Sequence, residues 1–153
     1  MDWNKISNQT DIEILMENFG GFHDSCLKEL YLWTNTFVDE DFSMSISLGL
    51  DTCVRALFQR QVSDPSAIEL VFKGVTQFHM TPSARGQDSI IFGAKLLVKD
   101  GLFYWAGDEE WQPDHSFLSP VSWISARELH WRDASSWMGE EQRYGRMKNE
   151  ETP

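Results

Sequence analysis

Cysteine, basic side chains and long apolar runs are all scarce in this sequence. Cys26 and Cys53 are its two thiols, and they form no Cys-x-x-Cys pair. One disulfide between them is conceivable, but two reduced thiols of a cytoplasmic protein are the simplest interpretation. No segment approaches the roughly 18 apolar residues of a membrane span, and the first residues lack the basic start and apolar core of a signal peptide. We therefore expect a soluble cytoplasmic protein.

The sequence has too little positive charge for a nucleic-acid groove. It contains 13 Lys and Arg against 24 Asp and Glu, which gives a formal net charge of -11. Carboxylates are concentrated at 39–41, 108–110 and 140–141. The resulting negative electrostatic field repels nucleic acid and anionic membranes and attracts basic proteins. We therefore expect neither nucleic acid nor a membrane as a partner. The alternative is that the acidic loops only keep the protein soluble.

No residue pattern indicates a metal, a cofactor or a nucleophile. The histidines are His23, His79, His115 and His130, and none lies at helical spacing from another. Structural zinc requires histidine or cysteine at short spacings, so we predict no metal site. The glycines form no phosphate-binding loop, and no serine lies in a nucleophile elbow. We expect no cofactor.

A helix is predicted over residues 10–19. Thr10 can cap its N-terminus, and Glu13 can reach back to the Thr10 amide to complete a capping box. Gly20 supplies the left-handed residue that ends the helix. Between these ends, apolar residues recur at helical spacing, at Ile12, Leu15, Met16 and Phe19.

After the helix, apolar residues alternate with polar ones, which indicates β-strands. Asp100 and Gly101 lie between two apolar runs and predict a tight hairpin. We expect an α+β, mostly antiparallel fold, with one N-terminal helix packed on a curled sheet or barrel-like sandwich of about seven strands. Residues 1–133 form the single globular domain, and 134–153 are a polar, loose tail. The strands are predicted at 27–34, 42–50, 53–60, 68–73, 77–80, 90–98, 102–106 and 121–132.

Phe22, His23 and Asp24 follow the predicted helix directly. If this stretch is extended, His23 and Asp24 point to opposite faces and cannot pair with each other. We interpret the motif as a structural corner in which Phe22 enters the core, His23 donates to a backbone carbonyl and Asp24 accepts from the amide of Cys26. The alternative is a hydrolase or metal enzyme that uses His23 and Asp24.

Seven tryptophans make the aromatic content the strongest anomaly of the sequence. Trp111 lies in an acidic loop, and tryptophan is enriched in the hot spots of protein interfaces. We therefore predict a partner-binding surface made of Asp108, Glu109, Glu110, Trp111 and Asp114. The alternative is that Trp111 folds back over its own loop.

A small-ligand carrier is a further alternative. A curled sheet can enclose an apolar cavity, which Met44, Phe72, Phe92, Trp105 and Trp123 would line. The same residues would also suffice to fill a solid interior.

Several short motifs carry a family resemblance. The helix is followed by "GGFHDSCLKEL", a serine-rich alternating segment, "IELVFKGV" and a late "SWISARELHWR". This series, over residues 12–132, resembles a group of small, mostly β bacterial proteins with a Phe-His-Asp-Ser motif after the first helix. Some of them are classed as immunity proteins of toxin systems. The resemblance implies a structural role for the motif, and an acidic immunity protein suits a basic toxin.

We therefore predict a non-enzymatic, cytoplasmic protein-binding module, immunity-like in role, that binds a basic protein partner through an acidic surface with aromatic anchors. Exposed edge strands would also permit a homodimer.

Overall fold

A computed structural model describes residues 2–114, 120–146 and 153. In this part of the chain it contains one α-helix and nine β-strands, and no helix with the length and apolar character needed to cross a bilayer. The helix α1 is Gln9–Asn18. The strands are β1 Asn4–Ile6, β2 Ser25–Trp33, β3 Phe37–Val38, β4 Met44–Ser45, β5 Cys53–Arg60, β6 Ala67–His79, β7 Lys95–Lys99, β8 Leu102–Ala106 and β9 Trp123–Asp133.

Seven strands form one antiparallel sheet in the order β2-β5-β6-β9-β8-β7, and β1 joins it beside β9. β9 is long enough to pair with β8 through its first half and with β1 through its second half. β2 and β7 are the two edges, so the sheet is open. β3 and β4 pair only with each other. The predicted α+β class, with one helix and a mostly antiparallel sheet of seven strands, is confirmed.

The helix begins earlier than the sequence predicts. Asn8 is the N-cap, and its side chain accepts from the amide of Asp11 at 2.9 Å. The Asp11 side chain accepts from the amide of Ser7 at 2.8 Å, so the N-cap lies two residues before the predicted one. Gly20 has φ +59° and follows the helix as expected. A Cβ there would lie 2.8 Å from Nη1 of Arg60, which also favours glycine.

The main core lies between the helix and one face of the sheet. Phe22 is at its centre, with edge-to-face contacts to Phe19, Phe58 and Trp105 at centroid distances of 5.0–6.0 Å. Alternate residues of the two central strands point into this core, as the period of two requires. Its members include Ile12, Leu15 and Phe19 of the helix region, Val54, Ala56 and Phe58 of β5, and Ile68, Leu70 and Phe72 of β6.

The opposite face of the sheet buries a charge cluster centred on Glu69. This carboxylate is fully buried and accepts from Arg55 at 2.6 Å, from Arg132 at 2.6 Å and from the hydroxyl of Tyr144 at 2.9 Å. The ring of Trp3 covers both guanidinium groups. Burial and the adjacent Glu69 carboxylate raise the pKa of Tyr144. The phenol therefore remains a donor to Glu69.

Residues 134–144 pack on this second face, so this part of the tail predicted at 134–153 is not loose. Ala134 and Tyr144 are buried, and Trp137 packs against them. Gln59 donates to the carbonyl of Trp137 at 2.8 Å, and Glu29 accepts from the amide of Tyr144. Aromatic side chains that follow no regular period hold the segment, so hydrophobic periodicity does not predict its packing. Residues 147–152 lie outside the described part.

Several predicted strands differ from the structure in extent. The segment 42–50 contains only the two-residue strand β4, because the chain reverses just before it and leaves the pairing after Ser45. The strand predicted at 90–98 begins at Lys95. Residues predicted as separate strands at 68–73 and 77–80 belong to the single strand β6, which has a register shift between Val75 and Gln77.

Candidate functional site

The connection between β2 and β5, residues 34–52, exposes most of its apolar side chains; we call it the exposed connection. Phe42 is 90% and Leu48 97% exposed. These residues are concentrated within fourteen consecutive positions of the chain. Exposed apolar side chains gathered in one region are typical of an interaction site. Each member is more than half exposed: Phe37, Val38, Phe42, Met44, Ile46, Leu48 and Leu50.

The exposed connection is also purely acidic. Residues 29–54 contain no Lys, Arg or His. Asp39, Glu40 and Asp41 are all exposed beside Phe42. Within this stretch of the sequence, no cation is available to neutralise them. An acidic surface with apolar contact groups selects for a partner of opposite charge.

Hydrogen bonds to Asp39 define the turn at the tip of this connection. Its side-chain Oδ1 accepts from the amides of Asp41 and Ser43, both at 2.9 Å. Its carbonyl accepts from the amide of Phe42 at 3.0 Å, and its own amide donates to the carbonyl of Ser43 at 2.9 Å. One aspartate therefore satisfies most backbone groups of the turn. The base is tied by the Thr36 hydroxyl, which donates to Asp51 at 2.6 Å.

Phe42 adopts an unfavourable backbone conformation at this tip. Its φ is +66°, in the left-handed region that favours glycine or asparagine. For a bulky L-residue this costs roughly 1–2 kcal/mol. Burial of the ring does not offset the cost, because the side chain is 90% exposed. Strain of this kind persists when the surrounding structure imposes it, and it is concentrated at functional positions.

The predicted acidic loop contains a second, similar turn, but its aromatic residue is buried. Trp111 is 4% exposed and packs between Tyr104 and Trp123, with centroids 5.8 and 5.0 Å away. The ring is therefore buried, as the alternative interpretation of Trp111 expected, but it packs on β8 and β9 instead of on its own loop. In this conformation it offers no exposed anchor.

The carboxylates of this loop have varied surroundings. Glu109 and Glu110 are exposed, whereas Asp108 is half-buried and accepts from the amide of Glu110 at 2.9 Å. Asp114 forms an exposed ion pair with Lys99, and this hydrogen bond raises the pKa of the lysine. The predicted surface is thus brought together only in part. His115 lies outside the described residues.

The corner at Phe22, His23 and Asp24 connects two parts of the fold. His23 Nδ1 lies 2.6 Å from the carbonyl oxygen of Phe92 and donates to it, because a carbonyl can only accept. Contrary to expectation, Nε2 of His23 lies 3.5 Å from Asp24 Oδ2. The expectation assumed an extended backbone, but Asp24 has φ +54°.

Backbone hydrogen bonds strengthen this corner. The amide of Ala94 donates to Gly21 at 2.9 Å, and that of Ile91 donates to Ser25 at 2.7 Å. Both His23 and Asp24 are more than half exposed. Nδ1 of His23 is committed to the backbone, and these contacts tie the corner to the segment before β7.

The other candidate ligands and nucleophiles are dispersed. Among the described residues, no three His, Cys, Asp or Glu side chains converge as metal ligands. His79 stacks on Trp123 at 4.3 Å, and burial lowers the pKa of His130. Both cysteines are free thiols, and burial raises the pKa of Cys53. A raised pKa opposes nucleophilic use of that thiol.

An open cleft of about 710 Å³ lies beside β8, under residues 80–91. Trp105 contributes to its wall, and the indole Nε1 has no hydrogen-bond partner in the described part of the chain. The cavity expected from the sequence is different. Met44 and Phe92 are exposed, and Phe72 lies in the solid core. Trp123 stacks in the aromatic cluster at Trp111.

Comparison with family models, with curated proteins and with solved structures finds no match to this chain. The sequence contained one clear signal for the exposed connection, the absence of basic residues between 29 and 54. The alternation of apolar and polar residues at 42–50 suggested a core-facing strand instead, because alternation predicts an apolar face without identifying what covers that face.

Proposed function

We propose that this protein is a non-enzymatic binding module that recognises a basic protein through the exposed connection. The observation that supports this most strongly is the patch of seven apolar side chains beside Asp39, Glu40 and Asp41. Apolar groups supply contact area, while unpaired carboxylates steer association and disfavour anionic partners. The free thiols accord with a cytoplasmic location.

The charge pattern favours a basic partner over a second copy of the chain. A twofold dimer through this surface would place one acidic tip against its symmetry mate. Like charges brought together in an interface are costly. An immunity-like role, in which an acidic protein neutralises a basic toxin, is the form of this function that the sequence resemblance implies.

The loop at 108–114 has a secondary place in this proposal. Its exposed carboxylates, Glu109 and Glu110, add to the negative field. Trp111 supports the loop from within instead of contacting the partner. Charges at the rim of an interface alter the association rate more than the final affinity.

Capture experiments with matched charge reversals test the proposal. The tagged protein is incubated with lysate of its source organism at low and high salt, and captured proteins are identified by mass spectrometry. Glu40→Lys/Asp41→Lys reverses the tip while leaving the Asp39 side chain in place to accept its two amides. Glu109→Lys/Glu110→Lys is the matched control, because it leaves Asp108 in place.

The wild type should capture a protein rich in Lys and Arg, more strongly at low salt. Reversal at the tip should reduce its recovery by about tenfold or more, whereas the control pair should have a smaller effect. Equal recovery with both variants would remove the exposed connection from the interface.

A small-ligand function is the second candidate, and the cleft beside Trp105 favours it. The cleft has both apolar and polar walls, with Leu27, Ile90 and Trp105 among its apolar groups and Asp108 among its polar ones. A molecule with an apolar body and a hydrogen-bond donor would suit this lining, because the Asp108 carboxylate can accept from the donor.

Organic extraction of the purified protein tests this second candidate. A stoichiometric small molecule, recovered in lower amount from Asp108→Ala, would support it. That variant removes the carboxylate at the lining of the cleft. Extracts without any such molecule would reject a tightly bound ligand in this cleft.

A further inference from the structure

We propose that Phe42 is a preorganised anchor that stacks against guanidinium groups on the basic partner. The inference rests on the proposed function and deepens it by naming the anchoring residue and the chemistry it recognises. It depends on the tip turn, the backbone of Phe42, the exposure of its ring and the charges beside it.

The turn fixes the direction in which the Phe42 side chain leaves the backbone before any partner arrives. Asp39 accepts three amides of the turn, including that of Phe42 at 3.0 Å, and donates to Ser43. The chain therefore reverses within a hydrogen-bonded unit instead of a loose loop. A backbone held in this way loses little conformational freedom on binding, which favours affinity.

Packing within the chain does not explain the ring. Phe42 is 90% exposed at φ +66°, where glycine or asparagine would be less strained. Leu48 is equally exposed, yet it is not among the residues with positive φ. Phe42 thus combines exposure with backbone strain, and a contact absent from the isolated chain is the simplest reason for both.

The surroundings of the ring specify the chemistry of that contact. Asp39, Glu40 and Asp41 precede it directly and are all exposed. An aromatic face attracts cations, and adjacent carboxylates strengthen the preference for positive charge. Arginine suits this arrangement better than lysine, because its planar guanidinium stacks on a ring while its N–H groups reach carboxylates.

Binding to immobilised oligo-arginine and oligo-lysine peptides tests the inference. Wild-type protein should bind oligo-arginine about fivefold more tightly than oligo-lysine, which is the size expected for partly exposed stacking. Phe42→Ala and Phe42→Gly should both reduce this preference while retaining charge-driven binding, because the carboxylates still accept from guanidinium groups. Leu48→Ala, which removes an equally exposed apolar group from the same connection, should keep it.

Thermal unfolding of the same variants supplies a readout independent of binding. Phe42→Gly removes the backbone strain as well as the ring, so its Tm should rise by about 2 °C. Phe42→Ala retains a Cβ and therefore the strain, so its Tm should stay close to that of the wild type. A variant that binds worse yet folds better is the expected signature of a residue kept for recognition.

Two results would overturn the inference. An unchanged arginine preference in both Phe42 variants would show that the ring takes no part in recognition. A lowered Tm for Phe42→Gly would show that Phe42 supports the fold. In either case, loss of peptide binding in Glu40→Lys/Asp41→Lys would leave the proposed acidic surface intact, whereas retained binding there would reject that surface too.

Discussion

Two acidic turns of this molecule share the same local construction. Residues 39–42 read Asp-Glu-Asp-Phe, and residues 108–111 read Asp-Glu-Glu-Trp. In each, the first aspartate accepts the amide two residues later through its side chain, at 2.9 Å. In each, the aromatic fourth residue donates its amide to the carbonyl of that aspartate, at 3.0 and 3.1 Å. These two hydrogen bonds are therefore common to both segments.

The aromatic residues of these turns nevertheless have opposite surroundings. Trp111 is 4% exposed against Tyr104 and Trp123, whereas Phe42 is 90% exposed at positive φ. Trp111 is not among the residues with positive φ. An acidic sequence with an aromatic residue thus builds a turn in both places, but the surrounding fold decides whether the ring stabilises the protein or remains available to a partner.

Removing the two aromatic rings should have very different effects on stability. Trp111→Ala deletes a buried ring and should lower the free energy of unfolding by about 3–5 kcal/mol. Phe42→Ala should change it by less than about 0.5 kcal/mol, since an exposed side chain contributes little packing. Urea denaturation measures both values. Comparable losses of stability in the two variants would show that the Phe42 ring stabilises the fold as the Trp111 ring does.

Replacing the aspartates that accept the turn amides, Asp39 and Asp108, should give a smaller difference in stability than replacing the two aromatic rings. Asp39→Ala leaves two amides without their acceptor, whereas Asp108→Ala leaves one. At about 1 kcal/mol for each lost hydrogen bond, the tip turn should become more dynamic than the loop. Hydrogen exchange at the amides of Asp41 and Ser43 should accelerate by roughly tenfold or more in Asp39→Ala. Asp39→Asn retains the acceptor and is the control.

Indole accessibility should also distinguish the two turns. Phe42→Trp introduces an indole at an exposed position, and acrylamide should quench its fluorescence readily. Trp111→Phe removes an indole from a buried cluster and should raise the accessible fraction of the remaining emission. If the indole introduced at position 42 were protected from acrylamide, the ring would be packed, and packing could then offset the backbone strain of this residue.

Much of the fold was predictable because its signals are local. β5 has the bounds that alternation predicted, and Asp100 and Gly101 have φ of +52° and +75°, as the expected tight hairpin requires. The C-terminal segment was not predictable, because Trp137 and Tyr144 pack without a regular period. The corner at Asp24 was misjudged, because a positive φ at a non-glycine residue leaves no clear trace in sequence.

The candidate site was predictable in charge but not in geometry. The sequence shows three carboxylates before both Phe42 and Trp111, and interface statistics favour tryptophan as the anchor. The ring of Trp111 is buried because Tyr104 of β8 and Trp123 of β9 pack against it. These are tertiary contacts, and the local sequence of an acidic turn does not specify them. The alternating residues of 42–50 looked like a sheet strand because a partner-facing surface and a core-facing strand share the same pattern.

Site-specific photo-crosslinking tests the central claim most directly. A benzophenone amino acid placed at Phe42, and separately at Glu110, reports which acidic turn contacts a protein in the cell. Crosslinking from position 42 to one Lys- and Arg-rich protein, with little or none from position 110, is the predicted result. The same protein captured from position 110 alone would contradict the account and return the binding surface to the loop at 108–114.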